Sequence, residues 1–272
     1  MKKDYTIHTF NLRLKILIAR IIYLLLKIFG IDDELQVKRR NINWKININD
    51  IVGLSVFLTG GFQNKKLKQF NSLIKKDSLL IDIGANIGTF SISSAFKNKN
   101  LNKILCIEPD IDNFTRLEEN IKINELSNII SPHHSFVGDL LDDGSSSHYP
   151  LNLKKNQINN RYNGVPGNFI KAIQFNLDNI RNEDIKNLAI KIDVDGNEAE
   201  VIFHLEKTIK KYKPLLLIEI NKGLLKREEL IKIYNILNES NYKIINKNSL
   251  ISLDSLKNTS KLYGRDLIFK SI

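Results

Sequence analysis

The stretch Ile81-Asp82-Ile83-Gly84-Ala85-Asn86-Ile87-Gly88-Thr89-Phe90 decides the architecture of this chain. It begins at the end of an apolar run, Leu79-Leu80-Ile81, and leads into residues 87–97, which suit a helix. A strand therefore gives way to a helix across two glycines. Gly84 permits a sharp turn and close approach of a ligand to the backbone. Asn86 is placed to cap the helix, and Gly88 allows tight helix–strand packing. In doubly wound sheets ligands bind at the carboxyl ends of the strands, where a turn of this kind sits.

The turn also discriminates between cofactors. A dinucleotide site wants G-x-G-x-x-G, with helix N-terminal amides facing a pyrophosphate. Here the order is D-x-G-A-N-x-G, with Asp82 ahead of the first glycine. An acid in that place suits a cationic ligand. S-adenosylmethionine carries an ammonium and a sulfonium and no phosphate.

Working outward, the same strand–helix rhythm recurs. Lys103 to Glu108 reads as a second strand stopped by Pro109, residues 111–124 as a helix, and His134 to Val137 as a third strand. Residues 140–170 interrupt it with Ser, Asn, Asp and Gly. The segment around 142–168 is expected to cap the acceptor or to be disordered. The rhythm resumes with a strand at Leu188 to Ile192, a helix at Glu198 to Lys211 and a strand at Pro214 to Ile220. A helix over 224–239 and strands at Tyr242 to Ile245 and Asp266 to Lys270 close the chain. Apolar strands alternating with helices predict an α/β fold: a doubly wound, Rossmann-like sheet, mostly parallel with an antiparallel last strand. Upstream, residues 42–58 read as a strand pair, with Ile42, Trp44, Ile46 and Ile48 on one face, followed by a helix near 63–75. The expected organisation is an N-terminal helix and linker (1–40), a strand/helix extension (41–76) and a cofactor-binding domain (77–272).

Two further strand ends carry chemistry. Glu108, in Ile107-Glu108-Pro109-Asp110, is acceptor-only when ionised, and its two oxygens match the two hydroxyls of a ribose. Asp139, after Val137-Gly138, suits an adenine amine, or is a plain turn aspartate. The stretch Lys191-Ile192-Asp193-Val194-Asp195-Gly196-Asn197-Glu198 puts Asp193 at a strand end facing the same cleft. Glu198 opens a helix, where an acid is favoured by the dipole whether or not it serves the site. Asp193 is the candidate base or substrate-orienting acid, with Glu219 at the next strand end as its alternate. Asp193, Asp195 and Glu198 offer oxygen ligands for Mg²⁺, though a metal is not the favoured reading. His133, His134, His148 and His204 are candidate bases by residue type, but isolated histidines are more often structural or exposed.

Together IDIGANIGTFS, IEPD and KIDVDGNE, with KPLLLIEI after them, resemble the FkbM family of S-adenosylmethionine-dependent methyltransferases. Thr59-Gly60-Gly61-Phe62 and Asn176-Leu177-Asp178 also resemble it. The similarity spans roughly residues 50–270 and leaves the first helix outside. It implies methyl transfer to a hydroxyl of a sugar, glycan or related metabolite. It also implies that Asp82, Gly84, Asn86, Gly88 and Glu108 hold the cofactor. Where the family often carries an acid after the aromatic, this chain has Gln63, which leaves open whether that position touches the cofactor.

Bulk properties bound the alternatives. The 272 residues, 42% hydrophobic and 8% aromatic, suffice for one sizeable α/β domain plus extensions. The net charge of +11 admits polyanions, but the lysines are scattered, and only short pairs such as Lys65-Lys66 occur. A nucleic-acid methyltransferase is disfavoured, because Asp193-Val194-Asp195-Gly196 replaces the Asn/Asp-Pro-Pro-aromatic strand end that grips a flipped base. The glycine spacing disfavours a nicotinamide oxidoreductase, and the intact acids disfavour a non-catalytic binding protein. Cys106, the single cysteine, sits in an apolar run and fits a reducing cytoplasm. Residues 12–29, LRLKILIARIIYLLLKIF, make a poor membrane span, since Arg20 near mid-bilayer costs about 2.5 kcal/mol or more. Arg13, Arg20 and Lys27 recur every seven residues on one stripe of a helix. Such a helix packs on the core, joins a partner chain in a homo-oligomer, or makes peripheral membrane contact.

Overall fold

A computed structural model describes residues 18, 20–61, 65–138, 148–150, 169–171, 173–174, 185–194, 196–220, 225, 227–246, 249–257 and 265–272. They fall into two units, Met1–Phe62 with Pro150–Asn168, and Gln63–Tyr149 with Phe169–Ile272.

In the first unit a helix α1, over residues 20–28, precedes a hairpin of β1 (Glu34–Arg39) and β2 (Ile42–Asn47). The stretch 12–17 lies outside the described residues. Tyr23 is buried and its hydroxyl donates to Asp33 at 3.0 Å, while Lys27 pairs with the same carboxylate at 3.3 Å. Ile21, Leu24, Leu25 and Ile28 of α1 are exposed. Among the described residues no helix is long and apolar enough to cross a membrane. Trp44, Ile46 and Ile48 are fully buried, as their alternation predicts.

The strand reading does not extend to residue 58. Ile51–Thr59 forms helix α2. Asp50 caps it by accepting from the Gly53 amide at 3.1 Å, and Gly60, at φ 82°, closes it with its amide on the Val56 carbonyl. A short apolar run bounded by turn residues does not distinguish strand from helix by periodicity, and here the caps select the helix.

The second unit is built on a nine-stranded sheet in the order β12-β11-β13-β10-β9-β3-β4-β5-β8. Its strands are β3 (Ser78–Ile83), β4 (Leu101–Glu108), β5 (Ile130–Phe136), β8 (Ile173–Gln174), β9 (Asn187–Ile192), β10 (Leu215–Ile220), β11 (Tyr242–Asn246), β12 (Ser249–Ile251) and β13 (Arg265–Ser271). Two short strands, β6 (His148–Pro150) and β7 (Phe169–Lys171), lie in sequence between β5 and β8. All pairs from β10 through β9, β3, β4 and β5 to β8 are parallel. β13 runs antiparallel between β10 and β11. The expected doubly wound, mostly parallel sheet with an antiparallel last strand is therefore present.

Every residue of β3 is buried, as a strand covered on both faces requires. The helices are α3 (Lys65–Leu73), α4 (Thr89–Lys97), α5 (Ile111–Ile123), α6 (Glu198–His204), α7 (Glu206–Tyr212), α8 (Arg227–Glu239) and α9 (Asp254–Lys257). α8 buries Leu230, Ile233, Ile236 and Leu237, one apolar stripe at helical spacing. These side chains join Ile190, Ile192, Leu216 and Ile218 of the central strands in one core. Truncating such a residue, Ile190 for example, to alanine costs about 2–5 kcal/mol.

Some element ends and caps differ from the sequence reading. The third strand starts at Ile130, because Pro132 and the two histidines hide its first half from a hydropathy pattern. The helix expected over 198–211 breaks at Leu205 into α6 and α7. Asn86 does not cap α4; the N-cap is Gly88, in the left-handed region at φ 87°.

Candidate functional site

The β3–α4 turn is held by a close approach that only glycine allows. Gly84 has φ 77°, and a Cβ there would lie 1.9 Å from the backbone oxygen of Asp193. At Gly88 a Cβ would meet Leu117 Cδ1 at 2.7 Å. Asn86, itself at φ 52°, turns its Oδ1 to the Ile87 amide at 2.9 Å.

Each amide from Gly84 to Gly88 is taken within the protein. Gly84 and Ala85 donate to the Ile107 carbonyl at 3.0 and 3.1 Å. Asn86 donates to Glu108 Oε2 at 2.7 Å, Ile87 to Asn86 Oδ1, and Gly88 to the Ala85 carbonyl at 2.9 Å. A pyrophosphate cradle needs such amides facing outward. The turn instead closes its amides on the Ile107 and Ala85 carbonyls, on Asn86 and on Glu108, an arrangement that suits a ligand without a phosphate.

Asp82 lies behind the turn, fully buried. Ser91 Oγ donates to its Oδ2 at 2.5 Å, and Lys191 Nζ stands 3.1 Å from its Oδ1. Burial raises its pKa, and Lys191 and Ser91 oppose the rise. Glu108, at the end of β4, is 5% exposed. Its Oε2 takes the Asn86 amide and its Oε1 the Asp110 amide at 3.0 Å. Burial pushes its pKa up to about 7, against the two amide bonds. Each oxygen keeps a further lone pair. Asp110 caps α5 by accepting from the Asn113 amide at 2.8 Å. Across from Glu108, His134 packs on Phe114 with ring centroids 5.1 Å apart, and its Nε2 sits 3.0 Å from the Pro109 carbonyl.

The other wall is the β9–β10 edge. Asp193 follows β9 with its side chain 42% exposed. Glu219, on β10, is raised to about 9 by burial and then by Asp193, to which it hydrogen-bonds, with Glu198 and Asp266 adding to the rise. Asp266 is its cross-strand partner on β13. Glu198 is fully buried; its Oε1 accepts the amides of Val194 and Gly196 at 3.2 and 3.1 Å. It therefore staples the turn after β9, and burial raises it to about 7. Asp139 and Asp195 lie outside the described residues, as does the segment 151–168. Among the described residues no three acids, histidines or cysteines are arranged to hold a metal ion.

The sequence reading passed over Lys191 and Ser91. Lys191 left a trace, since it is the one charge in Leu188-Ala189-Ile190-Lys191-Ile192. Ser91 left none, because a serine on a helix looks like any surface serine until the fold buries it.

The model of the methyltransferase FkbM domain matches residues 82–244, which spans Asp82, Glu108, Asp193 and Glu219. The chain belongs to the FkbM methyltransferase family. It is an S-adenosylmethionine-dependent methyltransferase, and a turn whose amides are closed inward beside Glu108 fits a cofactor that carries no phosphate. Solved structures similar to this FkbM methyltransferase include M. jannaschii TYW2 in complex with AdoMet, at 14% identity and TM-score 0.43 over 89% of this chain and 88% of that one. The FkbM methyltransferase of Methylobacillus flagellatus matches at 19% identity and TM-score 0.43, over 73% and 45% of the two chains. The B. subtilis tRNA methyltransferase TrmK matches at 12% identity and TM-score 0.43, over 77% and 67%. No curated protein sequence matches the chain.

Proposed function

We propose that this enzyme methylates a hydroxyl of a sugar, glycan or related metabolite, with Asp193 as the base that takes the hydroxyl proton. The observation that carries this reading is the placement of Asp193. Its carboxylate is half-exposed at a strand end, and its backbone oxygen packs against Gly84 of the cofactor turn.

When bound, S-adenosylmethionine supplies an electrophilic methyl group on a sulfonium. Gly84, Asn86, Gly88, Glu108 and Asp139 are the residues assigned to hold it, while Asp82, buried and paired with Lys191 and Ser91, would brace the turn from behind. Glu108 offers its remaining lone pairs to hydroxyls, and Gly84 leaves the room that a side chain would fill. Asp193 orients the acceptor and removes its proton, because a neutral hydroxyl is a poor nucleophile. Glu219, hydrogen-bonded to Asp193, steadies that carboxylate. Alignment and exclusion of water supply much of the remaining rate.

The first test is calorimetric binding of S-adenosylmethionine to wild type and Glu108→Ala. Weaker binding by the variant is the expected result. No binding by folded wild type would sink the cofactor assignment. Transfer of an isotopically labelled methyl group to a panel of glycans and to RNA then decides the acceptor. Labelling of RNA alone would overturn the sugar reading.

A further inference from the structure

Helix α1 takes no part in the chemistry above, yet it turns an apolar face to solvent. Ile18, Ile21, Leu24, Leu25 and Ile28 are exposed, and Phe29 is 79% exposed. At 3.6 residues per turn these six side chains share an arc of roughly 140°. Tyr23 lies on the opposite side, buried, with its hydroxyl on Asp33 at 3.0 Å. Ile22 and Leu26 are half-buried beside it. The helix stops at Gly30, at φ 71°, where the Gly30 amide returns to the Lys27 carbonyl and the Ile31 amide to the Leu26 carbonyl, each at 3.0 Å. One side of α1 is therefore held by packing, hydrogen bonding and a closed C-terminus, and the other is apolar and open.

The charges say what covers the open side. Arg20 and Lys27 lie along one edge of the apolar arc, seven residues apart. Lys27 Nζ donates to the Ile31 carbonyl at 3.1 Å and pairs with Asp33 at 3.3 Å, and its side chain is still 40% exposed. No acid occurs from Tyr5 to Ile31. A contiguous apolar face on a protein surface marks an interaction site. A second copy answers it poorly, because two such faces bring cation to cation, whereas paired helices flank their seam with opposite charges. An anionic lipid surface answers both features. Apolar side chains enter the acyl boundary, and long Arg and Lys side chains reach out to the phosphates. The net charge of +11 favours the same approach.

We propose that α1 docks this protein on an anionic membrane surface, lying in the plane of the interface with its exposed apolar face in the lipid and Arg20 and Lys27 at the headgroup phosphates. The helix rests on the membrane and does not cross it. Tyr23, on the far side, keeps the turn into β1 on the water side. The two parts of the surface divide the work: the apolar arc supplies insertion, and the cations supply the preference for anionic lipid. The proposal stands apart from the acceptor and the base assigned above.

The test is co-sedimentation of the whole chain with vesicles, and it needs neither acceptor nor cofactor. One set is phosphatidylcholine mixed with phosphatidylserine, the other phosphatidylcholine alone. Wild type is expected to partition onto the mixed vesicles and about tenfold less onto phosphatidylcholine alone. Leu25→Glu with Ile28→Glu, both at exposed positions, should lower partitioning onto the mixed vesicles by about a hundredfold. Arg20→Gln with Lys27→Gln should lower it by about tenfold. Trp44, the single tryptophan, is fully buried in β2, and its emission checks that each variant keeps this unit folded. If the double glutamate variant does not fold, Phe29→Ser is read by the same assay, with a loss of about tenfold expected. No partitioning of folded wild type onto the mixed vesicles overturns the proposal. So does equal partitioning onto both vesicle sets, or partitioning that the folded apolar-face variants leave unchanged. A dimer in analytical ultracentrifugation that Leu25→Glu with Ile28→Glu abolishes, without vesicle binding by wild type, gives the face to a second copy and overturns the proposal as well.

Discussion

Glu108 and Glu219 are both glutamates at the carboxyl ends of buried parallel strands, and the fold treats them differently. Glu108 is met by donors, the amides of Asn86 and Asp110, which offset part of its burial. Glu219 is met by acids: Asp193, Glu198 and Asp266. The β3–β4 edge is therefore suited to holding a fixed acceptor toward a ligand. The β9–β10 edge is suited to holding a proton. The lesson is that residue type and strand position do not assign a role; the donors supplied by neighbouring turns do.

The largest expected effect comes from the proton-handling edge. Asp193→Asn should lower methyl transfer by about 10²–10⁴-fold, the usual contribution of a general base. Cofactor affinity should be retained, as measured by single-turnover transfer at saturating cofactor alongside calorimetry. Near-wild-type turnover would erase the distinction between the two edges. Next in size is Gly84→Ala, which thrusts a Cβ toward the Asp193 oxygen and strains a backbone at φ 77°. A loss of about 2–4 kcal/mol is expected in urea denaturation, because backbone cannot yield as a side-chain tip can.

The pH dependence of stability separates the two glutamates. Glu219 rises from an ordinary 4.5 to about 9 in the folded protein, and Glu108 from 4.5 to about 7. Between those values the folded state binds more protons than the unfolded one. Stability is therefore greatest below about pH 4.5 with respect to these groups and is lost as pH rises through each folded pKa. The decline between pH 7 and 9 belongs to Glu219 alone of the two. Glu219→Gln should flatten it in thermal denaturation, and Glu108→Gln should leave it in place. The opposite pattern would reverse the comparison. The smallest effect is expected at Ser91→Ala, which removes one donor from Asp82 while Lys191 stays. A loss of about 1 kcal/mol, typical of a single hydrogen bond, should appear in denaturant titration.

The strand–helix rhythm was legible because apolar runs of strand length and helical stripes repeat along the chain from Leu79 to Lys270. The turn at Gly84 was legible because its left-handed backbone and its contact with Asp193 both demand glycine. Where local signals tie, the reading fails. Residues 51–58 are apolar enough for either element, and the Asp50 and Gly60 caps decide for helix. Asn86 has the chemistry of a cap, yet the chain turns left-handed at Gly88 and hands the cap to a residue without a side chain.

The amino-acid sequence alone determined the kind of fold, the family, and the strand ends that carry acids, since periodicity, glycine spacing and acid placement are written in residue order. Only the tertiary structure decided what each acid does. Strands distant in the chain lie side by side in the sheet, so Asp82 meets Lys191, Glu108 meets the Asn86 amide and Glu219 meets Asp193. A carboxylate's charge depends on burial and on the donors within a few ångströms, and in this protein those donors come from other strands.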